Sequence, residues 1–155
     1  KIYGMCKDVY GNFDHKDVVP IKKLDSNLYV MELFYGPTFA FKDYAMQFLG
    51  NLFSHCMQKK TNQLTILGAT SGDTGSAAIH GLSNKKGARV FILYPEGRIS
   101  DVQERQMTCT GAENIFPIAI NGSFDDAQRI VKDLFAVGAV TPAYPVRRAL
   151  AVLSL

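Results

Sequence analysis

Strand-like and helix-like segments alternate three times between residues 61 and 136, and this rhythm limits the fold more than any other feature of the chain. The candidate strands are 63–68, 89–94 and 115–120, and the helices that follow them are predicted to begin at residue 76 and to span 101–109 and 124–136. Ser100 and Gln103 predict a capping box at the start of the second helix. Pro117 cannot donate a ladder hydrogen bond, so it favours an edge position for the third strand. Alternating strands and helices predict an α/β fold with a parallel sheet.

A loop rich in glycine and hydroxyl side chains joins the first of these strands to its helix. Residues 68–75 read Gly-Ala-Thr-Ser-Gly-Asp-Thr-Gly, and backbone amides gathered at a helix N-terminus bind anions well. A Walker P-loop would need Lys and then Ser or Thr where Asp73 and Thr74 stand, and the Gly-x-Gly-x-x-Gly dinucleotide fingerprint is missing. Two interpretations stay open. The loop is either a carboxylate or phosphate cradle with Ser71 and Thr74 as extra donors, or a plain turn capped by Ser71 or Asp73.

A lysine follows a turn in the first half of the chain. Residues 36–37 are Gly-Pro, Thr38 is the predicted N-cap, and a helix is predicted over 41–58 with Lys42 in its first turn. Cations are favoured at the opposite end of a helix, and a Schiff-base nucleophile needs an amine that gives up its proton readily. A solvated lysine on a helix edge is the alternative. The aromatic side chains expected around the amine, which favour the first interpretation, are Phe39, Phe41 and Tyr44.

The remaining segments give weaker signals. Residues 1–26 contain turn signals at Gly4 and Gly11 and are predicted to be an approach segment more than part of a core. Residues 28–34 are predicted to form a strand. The segment 147–155 is compatible with either a helical turn or a strand.

Composition narrows the class of protein. The chain has 47% hydrophobic and 20% charged residues, as in globular domains, and its net charge of +3 is dispersed, which gives nucleic-acid binding little support. No apolar run approaches the roughly 18 residues of a membrane span. The three cysteines and three histidines are widely spaced, so we expect neither a disulfide framework nor a metal site, and we expect a cytoplasmic location.

Several phrases of the sequence resemble, in order, the pyridoxal-phosphate enzymes of the tryptophan-synthase β-like fold (fold type II), and within that group the threonine synthase family. The phrases are Glu-Leu-Phe-Tyr-Gly-Pro-Thr-Phe-Ala-Phe-Lys-Asp at 32–43, Thr-Ser-Gly-Asp-Thr-Gly at 70–75, Ile-Leu-Tyr-Pro-Glu-Gly-Arg-Ile-Ser at 92–100, Gln-Glu at 103–104 and Gly-Ser-Phe-Asp-Asp at 122–126. The resemblance covers roughly residues 18–136.

This resemblance implies a cofactor, a reaction and a set of site residues. Pyridoxal 5'-phosphate would be bound through the amine of Lys42, the catalytic lysine, with Asp73 as a further cofactor contact. The implied reaction converts O-phospho-L-homoserine, a small amino-acid phosphate, and water to L-threonine and phosphate. The implied substrate contacts are Ser71, Gly72, Thr74, Arg98 and Ser100.

The resemblance also implies a domain division. Residues 1–60 would belong to the larger cofactor domain, residues 61–136 would form the smaller α/β substrate domain, and residues 137–155 stay unassigned. Members of the family are longer and carry a Gly-Asn-Phe-Gly segment that cradles the cofactor phosphate, which these 155 residues lack. The resemblance therefore supports descent from a threonine synthase better than catalysis by these residues alone.

Two alternatives to a threonine synthase stay open. One is a related lyase of the same fold, such as a serine/threonine dehydratase or a threonine-synthase-like phospho-lyase. The other is a non-catalytic fragment that keeps the fold. The sequence does not indicate an oligomeric state.

Overall fold

The computed structural model describes residues 1–57, 64–136 and 152–154. Its helices are α1 (Ile2–Tyr10), α2 (Asp43–Met57), α3 (Asp73–Leu82), α4 (Asp101–Thr108) and α5 (Phe124–Ala136). Its strands are β1 (Ile21–Asp25), β2 (Leu28–Met31), β3 (Leu64–Ala69), β4 (Ala88–Pro95), β5 (Ile115–Ile120) and β6 (Val152–Ser154). Within this part of the chain, no helix combines the length and the apolar character that a membrane span requires.

A parallel sheet with the strand order β5-β4-β3-β6 forms the centre of the fold. Strand β3 pairs in parallel with β4 from Leu64 to Ala69, and β4 pairs in parallel with β5. The predicted α/β fold is therefore confirmed, as is the edge position of β5 with its Pro117. Strand β6 lies on the other side of β3, so the strand order reverses there. Ligands of open α/β sheets bind outside the carboxyl ends of strands at such a reversal point.

Helices cover both faces of this sheet. Ile66 and Val90 in the two central strands are fully buried, and Ile79 of α3 and Met107 of α4 pack with them on one face. Val131 of α5 is fully buried in the cluster on the other face. Each such side chain contributes about 1.5–3 kcal/mol when it leaves water. The packed sheet therefore provides a rigid base for the loops at its carboxyl edge.

The N-terminal residues contain a helix that the sequence interpretation missed. Gly4 lies inside α1, not in a turn, and Val9 is buried although an approach segment was predicted. The rings of Tyr10 and Phe13 pack around Tyr44 of α2, with centroid distances of 6.5 and 5.0 Å to the Tyr44 ring. Lys1, the N-cap residue of α1, supplies no side-chain cap. Helix α1 is stabilised instead by its contact with α2, which lies more than thirty residues away in the sequence. Local sequence signals could not indicate this contact.

Strands β1 and β2 form an antiparallel hairpin with exposed side chains. The predicted strand 28–34 ends at Met31, because Met31 pairs with Ile21 and β1 offers no partner further along. The next residue, Glu32, closes the hairpin: its carboxylate lies 2.7 Å from the Lys22 amine and accepts a hydrogen bond of 2.7 Å from the Tyr35 hydroxyl. The hydrogen bond from Lys22 and then that from Tyr35 lower the pKa of Glu32.

We expect Glu32→Gln to flatten the acid dependence of stability. Because the pKa of Glu32 is lower in the folded chain than in the unfolded chain, its contribution is fully present above the ordinary value of about 4.3 and is lost as the pH falls through the lower folded value. Urea unfolding at pH 7 and at successively lower pH measures this. The control is Glu113→Gln at an exposed position that has no ion pair in the described residues. Parallel pH profiles for wild type and Glu32→Gln would contradict the expectation.

Helices α2 and α3 touch through their backbones. A Cβ atom placed on Gly50 of α2 would lie 2.0 Å from the carbonyl oxygen of Gly81 in α3, and one placed on Gly81 would lie 2.5 Å from the carbonyl oxygen of Met46. Only glycine permits such an approach. This crossing sets how the N-termini of α2 and α3, which carry the two candidate chemical segments, lie relative to each other.

Candidate functional site

The turn that precedes α2 is held by the carboxylate of Asp43, which is completely buried. The backbone amide of Thr38 donates to Asp43 Oδ2 and the Thr38 hydroxyl donates to Oδ1, both at 2.8 Å. The predicted N-cap at Thr38 was therefore wrong. Helix α2 begins at Asp43, and the Thr38 hydroxyl satisfies this carboxylate because a buried charge needs hydrogen-bond donors.

Phe39 adopts a strained backbone conformation beside the lysine. Its φ of 60° lies in the left-handed region, which bulky residues rarely adopt. Such a conformation costs on the order of 1–3 kcal/mol and concentrates at functional sites. The Phe39 amide donates to the carbonyl of Gly36 at 3.1 Å, and together with the Asp43 contacts this bond holds the strained turn. The strained residue lies three positions before Lys42, in the turn that presents this lysine.

Lys42 occupies the N-terminal boundary of α2. Its carbonyl accepts a hydrogen bond of 2.9 Å from the amide of Met46, and its Nζ lies 5.0 Å from the centroid of the Phe41 ring. Tyr44, which was expected beside the amine, packs against Phe13 instead. Among the residues that the structure describes, no carboxylate lies within 4.0 Å of the Lys42 amine. Lys42 as a residue is half-buried, and its amine lies close to an aromatic ring without a counter-ion in that part of the chain.

A buried polar chain joins α2 to α3. The Gln47 side-chain amide nitrogen donates to Asp43 Oδ1 at 3.1 Å and to the carbonyl oxygen of Ala77 at 3.2 Å. Its oxygen lies 3.1 Å from Nδ1 of His80. Sequence analysis did not single out Asp43 or Gln47. Their spacing of four residues, which places both side chains on the same face of α2, was the signal that could have found them.

The loop after β3 is organised by the hydroxyl of Thr70, which is buried. This oxygen accepts hydrogen bonds from the amides of Gly72 at 3.0 Å and Gly75 at 2.8 Å. Gly72, with a φ of 140°, is the N-cap residue of α3 and supplies no side-chain cap. The predicted cap by Ser71 or Asp73 was therefore wrong, because the Thr70 hydroxyl already accepts the Gly75 amide. Thr70 had not been singled out, although it lies within the phrase at 70–75.

The same loop presents unused hydrogen-bond donors. In the described part of the chain, the backbone amides of Ser71, Asp73 and Thr74 have no acceptor. They lie at the N-terminus of α3, directly after the carboxyl end of β3. Amides in this position bind carboxylate and phosphate groups, because the helix dipole adds to the hydrogen bonds. The arrangement thus favours an anion cradle over a plain turn.

Helix α4 contacts both of these segments. The Gln103 side-chain amide donates to Asp73 Oδ1 at 2.6 Å, and the Gln106 side-chain amide donates to the carbonyl oxygen of Thr38 at 3.2 Å. Gln103 also completes the predicted capping box with Ser100, which is confirmed. The turn at 36–42 that presents Lys42 (the lysine turn) and the loop at 70–75 (the anion cradle) are therefore both connected to α4.

The two remaining predicted substrate contacts lie near this helix. The Ser100 hydroxyl donates to Gln103 Oε1 at 3.0 Å, so its proton is already used in the cap. Arg98 is exposed in the turn after β4, and in the described part of the chain its side chain makes neither a hydrogen bond nor an ion pair. The geometry leaves the Arg98 guanidinium available for an anion and the Ser100 hydroxyl largely occupied.

The donor set fits an anionic cofactor that carries an aldehyde. A primary amine without a nearby carboxylate can react with an aldehyde, and the open amides of α3 can hold an anionic group. In the described residues, no group of three or more His, Cys, Asp and Glu side chains could hold a metal ion. What the described site residues offer is a primary amine and open backbone amides.

Family comparison agrees with this chemistry. The sequence model of the pyridoxal-phosphate dependent enzymes matches residues 17–147, and the chain belongs to this family. Within the family it is homologous to threonine synthases. It is 51% identical over 138 residues to the threonine synthase of Eremothecium gossypii and 50% identical over 132 residues to that of Pseudomonas aeruginosa. These alignments cover 81% and 85% of this chain but only 27% and 28% of the relatives, so the chain spans about a quarter of their length.

Solved structures place the fold in the same family. The threonine synthase of Brucella melitensis with bound pyridoxal phosphate has a TM-score of 0.87 and 41% identity, and covers 99% of this chain with 32% of its own. The yeast threonine synthase has a TM-score of 0.84 and 42% identity, over 97% of this chain and 31% of its own. The predicted fold type II, in a partial form, is therefore confirmed. The match extends past residue 136 to residue 147, further than the quoted phrases.

Proposed function

We propose that this chain supplies the catalytic lysine and the substrate-carboxylate cradle of an enzyme that converts O-phospho-L-homoserine and water to L-threonine and phosphate. The observation that carries the proposal is that the Lys42 amine has no counter-ion in the described residues, while α4 contacts both the turn before Lys42, at Thr38, and the loop after β3, at Asp73. The identity of about half to threonine synthases over most of this chain supports the choice of reaction.

In this proposal Lys42 has two roles. Its Nζ would hold pyridoxal phosphate covalently. Once substrate has freed the amine, Nζ accepts the proton from the substrate α-carbon and carries the proton that leaves the β-carbon to the γ-carbon, which becomes the methyl group of threonine. Pyridoxal phosphate, when bound, supplies the electron sink that makes these carbon acids reactive. The reaction breaks the C–O bond at the γ-carbon, releases phosphate and adds the hydroxyl of water at the β-carbon. A positioned base of this kind contributes about 10²–10⁴-fold in rate.

The other proposed site residues hold the substrate and the cofactor. The open amides and the hydroxyls of Ser71 and Thr74 are assigned to the α-carboxylate, where preorganised donors cost little reorganisation. Gly72, the third residue assigned to the substrate, donates its amide to the Thr70 hydroxyl and contributes through the close backbone approach that its lack of a side chain permits. Asp73 is assigned to the cofactor. The phosphate end of the substrate is assigned to Arg98 more than to Ser100, whose hydroxyl is already engaged in the cap.

We keep the predicted domain division as part of the proposal. Residues 1–60 would belong to the cofactor domain and residues 61–136 to the substrate domain. A cytoplasmic location also stays a prediction, which three free cysteines suit.

Product analysis tests the proposed reaction. The purified chain, supplied with pyridoxal phosphate, is incubated separately with O-phospho-L-homoserine, L-serine and L-threonine, and phosphate, threonine and 2-oxo acids are measured. We expect equal amounts of phosphate and threonine from the first substrate only. Phosphate with a 2-oxo acid would indicate a phospho-lyase, and 2-oxo acid from serine or threonine would indicate a dehydratase. Cofactor binding without any product would favour a non-catalytic chain.

A further inference from the structure

We propose that α4 sets the position of the lysine turn relative to the anion cradle, with Gln103 and Gln106 as positioning residues. This inference rests on the proposed function, because it assigns these two glutamines to the same site. Neither belongs to the residues assigned above to cofactor or substrate.

Gln103 holds the cradle by donating and accepting at once. Its side-chain nitrogen donates to Asp73 Oδ1 at 2.6 Å, while its side-chain oxygen accepts from the Ser100 amide at 3.1 Å. A Cβ atom on Gly72 would lie 2.4 Å from the Gln103 side-chain nitrogen, so the loop is in close contact with this side chain. Ser76 of α3 donates to the Gln103 carbonyl at 3.4 Å. The start of α3 is therefore attached to the first turn of α4.

Gln106 holds the lysine turn from the same face of α4. Residues three apart in a helix are surface neighbours, and Gln106 donates to the Thr38 carbonyl at 3.2 Å. Thr38 also gives its amide and its hydroxyl to Asp43, the residue directly after Lys42. A shift of α4 is therefore passed to the backbone that presents the lysine.

Helix α4 is anchored in the core directly after these two contacts. Met107, next to Gln106, is fully buried in the main core, and a Cβ on Gly75 would lie 2.9 Å from its sulfur. The two glutamines are about 4.5 Å apart along the helix axis, which fixes the spacing of the segments they hold. A misplacement of about 1 Å in a catalytic site can cost roughly 10²-fold in rate. Helix α4 is therefore the element that fixes the position of the lysine turn relative to the anion cradle.

Glutamine is required at position 103 because only an amide can serve both contacts. Gln103→Glu keeps an acceptor for the Ser100 cap but places a carboxylate against that of Asp73. Asp73→Asn in the same chain restores a donor–acceptor pair with the direction reversed. The matched controls are Gln106→Met, which removes only the donor to Thr38, and Val102→Ala at a position of α4 that is 65% exposed.

Hydrogen–deuterium exchange of the full chain, followed by peptide, tests the proposal without any need for activity. We expect Gln103→Glu to speed exchange about tenfold in the peptide 70–76, as for the loss of one hydrogen bond to a charged group. The double variant with Gln103→Glu and Asp73→Asn should restore slow exchange in the peptide 70–76. Gln106→Met should speed exchange in 36–43 instead, and Val102→Ala should change neither peptide. Gln103→Glu should also weaken the visible absorbance band of the lysine-bound cofactor.

The outcomes separate this inference from the proposed function. Unchanged exchange at 70–76 in Gln103→Glu, or equal changes in Val102→Ala, would overturn the inference even if the chain produces threonine. The predicted exchange pattern without threonine would support the positioning role and reject the reaction. Faster exchange in the peptide 88–95 would show that Gln103→Glu also disturbs the central sheet. In that case Gln103→Met is measured in its place, and unchanged exchange at 70–76 in Gln103→Met overturns the inference.

Discussion

Lys42→Ala is expected to abolish attachment of pyridoxal phosphate and to lower the rate of threonine formation by at least about 10²–10⁴-fold. The lower bound is the contribution of a positioned general base, and loss of the covalent link adds to it. The structure supplies the reason: Lys42 is a half-buried residue whose amine lies near the Phe41 ring and has no carboxylate within 4.0 Å in the described residues. Absorbance after addition of pyridoxal phosphate, borohydride reduction and peptide mapping measure the attachment.

A matched lysine controls for non-specific reaction. Lys23 also lies over an aromatic ring, with its Nζ 5.8 Å from the centroid of Tyr29, but it belongs to the exposed hairpin. Lys23→Ala should keep the visible band, and Lys42→Arg, which keeps the charge, should lose it. If the visible absorbance band persists in Lys42→Ala, or if the reduced cofactor is found on another lysine, the assignment of Lys42 as the cofactor-binding lysine is wrong.

Gly50→Ala is expected to lower the free energy of unfolding by about 3 kcal/mol or more. The added Cβ would lie 2.0 Å from the Gly81 carbonyl oxygen, so α2 and α3 must separate. Overpacking usually costs about 1–3 kcal/mol and occasionally more, and here the contact is with backbone, which cannot rotate away. Typical domains have a stability of only about 5–15 kcal/mol. Separation of the helices also moves Lys42 relative to the cradle, so we expect weaker binding of pyridoxal phosphate.

Gly4→Ala is expected to change the free energy of unfolding in the opposite direction. Gly4 lies within α1 and a Cβ there meets nothing within 4 Å. Alanine in a helix interior is favoured over glycine by about 0.5–1 kcal/mol, so this variant should be slightly more stable than the wild type. Urea unfolding of both variants measures the difference. Equal stability of Gly50→Ala and the wild type would show that the two helices do not approach as described.

Local features of the site could be predicted because their partners are close in sequence. The capping box of Ser100 and Gln103 joins residues three apart, and the alternation of strands and helices follows from apolar spacing. Two segments with specific residue order indicated the cofactor family before any contact was known. The sequence did not indicate that Gln103 also reaches Asp73, since thirty residues separate the two side chains.

The sequence by itself determined the parallel α/β sheet and the family of the lysine segment, and it restricted the loop after β3 to an anion cradle or a plain turn. The tertiary structure alone decided how hydrogen-bond partners are shared among distant groups. Thr38 gives its hydroxyl to Asp43 instead of capping α2, and the Tyr44 ring packs against Phe13 of the N-terminal segment. The physical reason is that burial obliges each polar group to find a partner, and only the folded chain determines which partners are within reach.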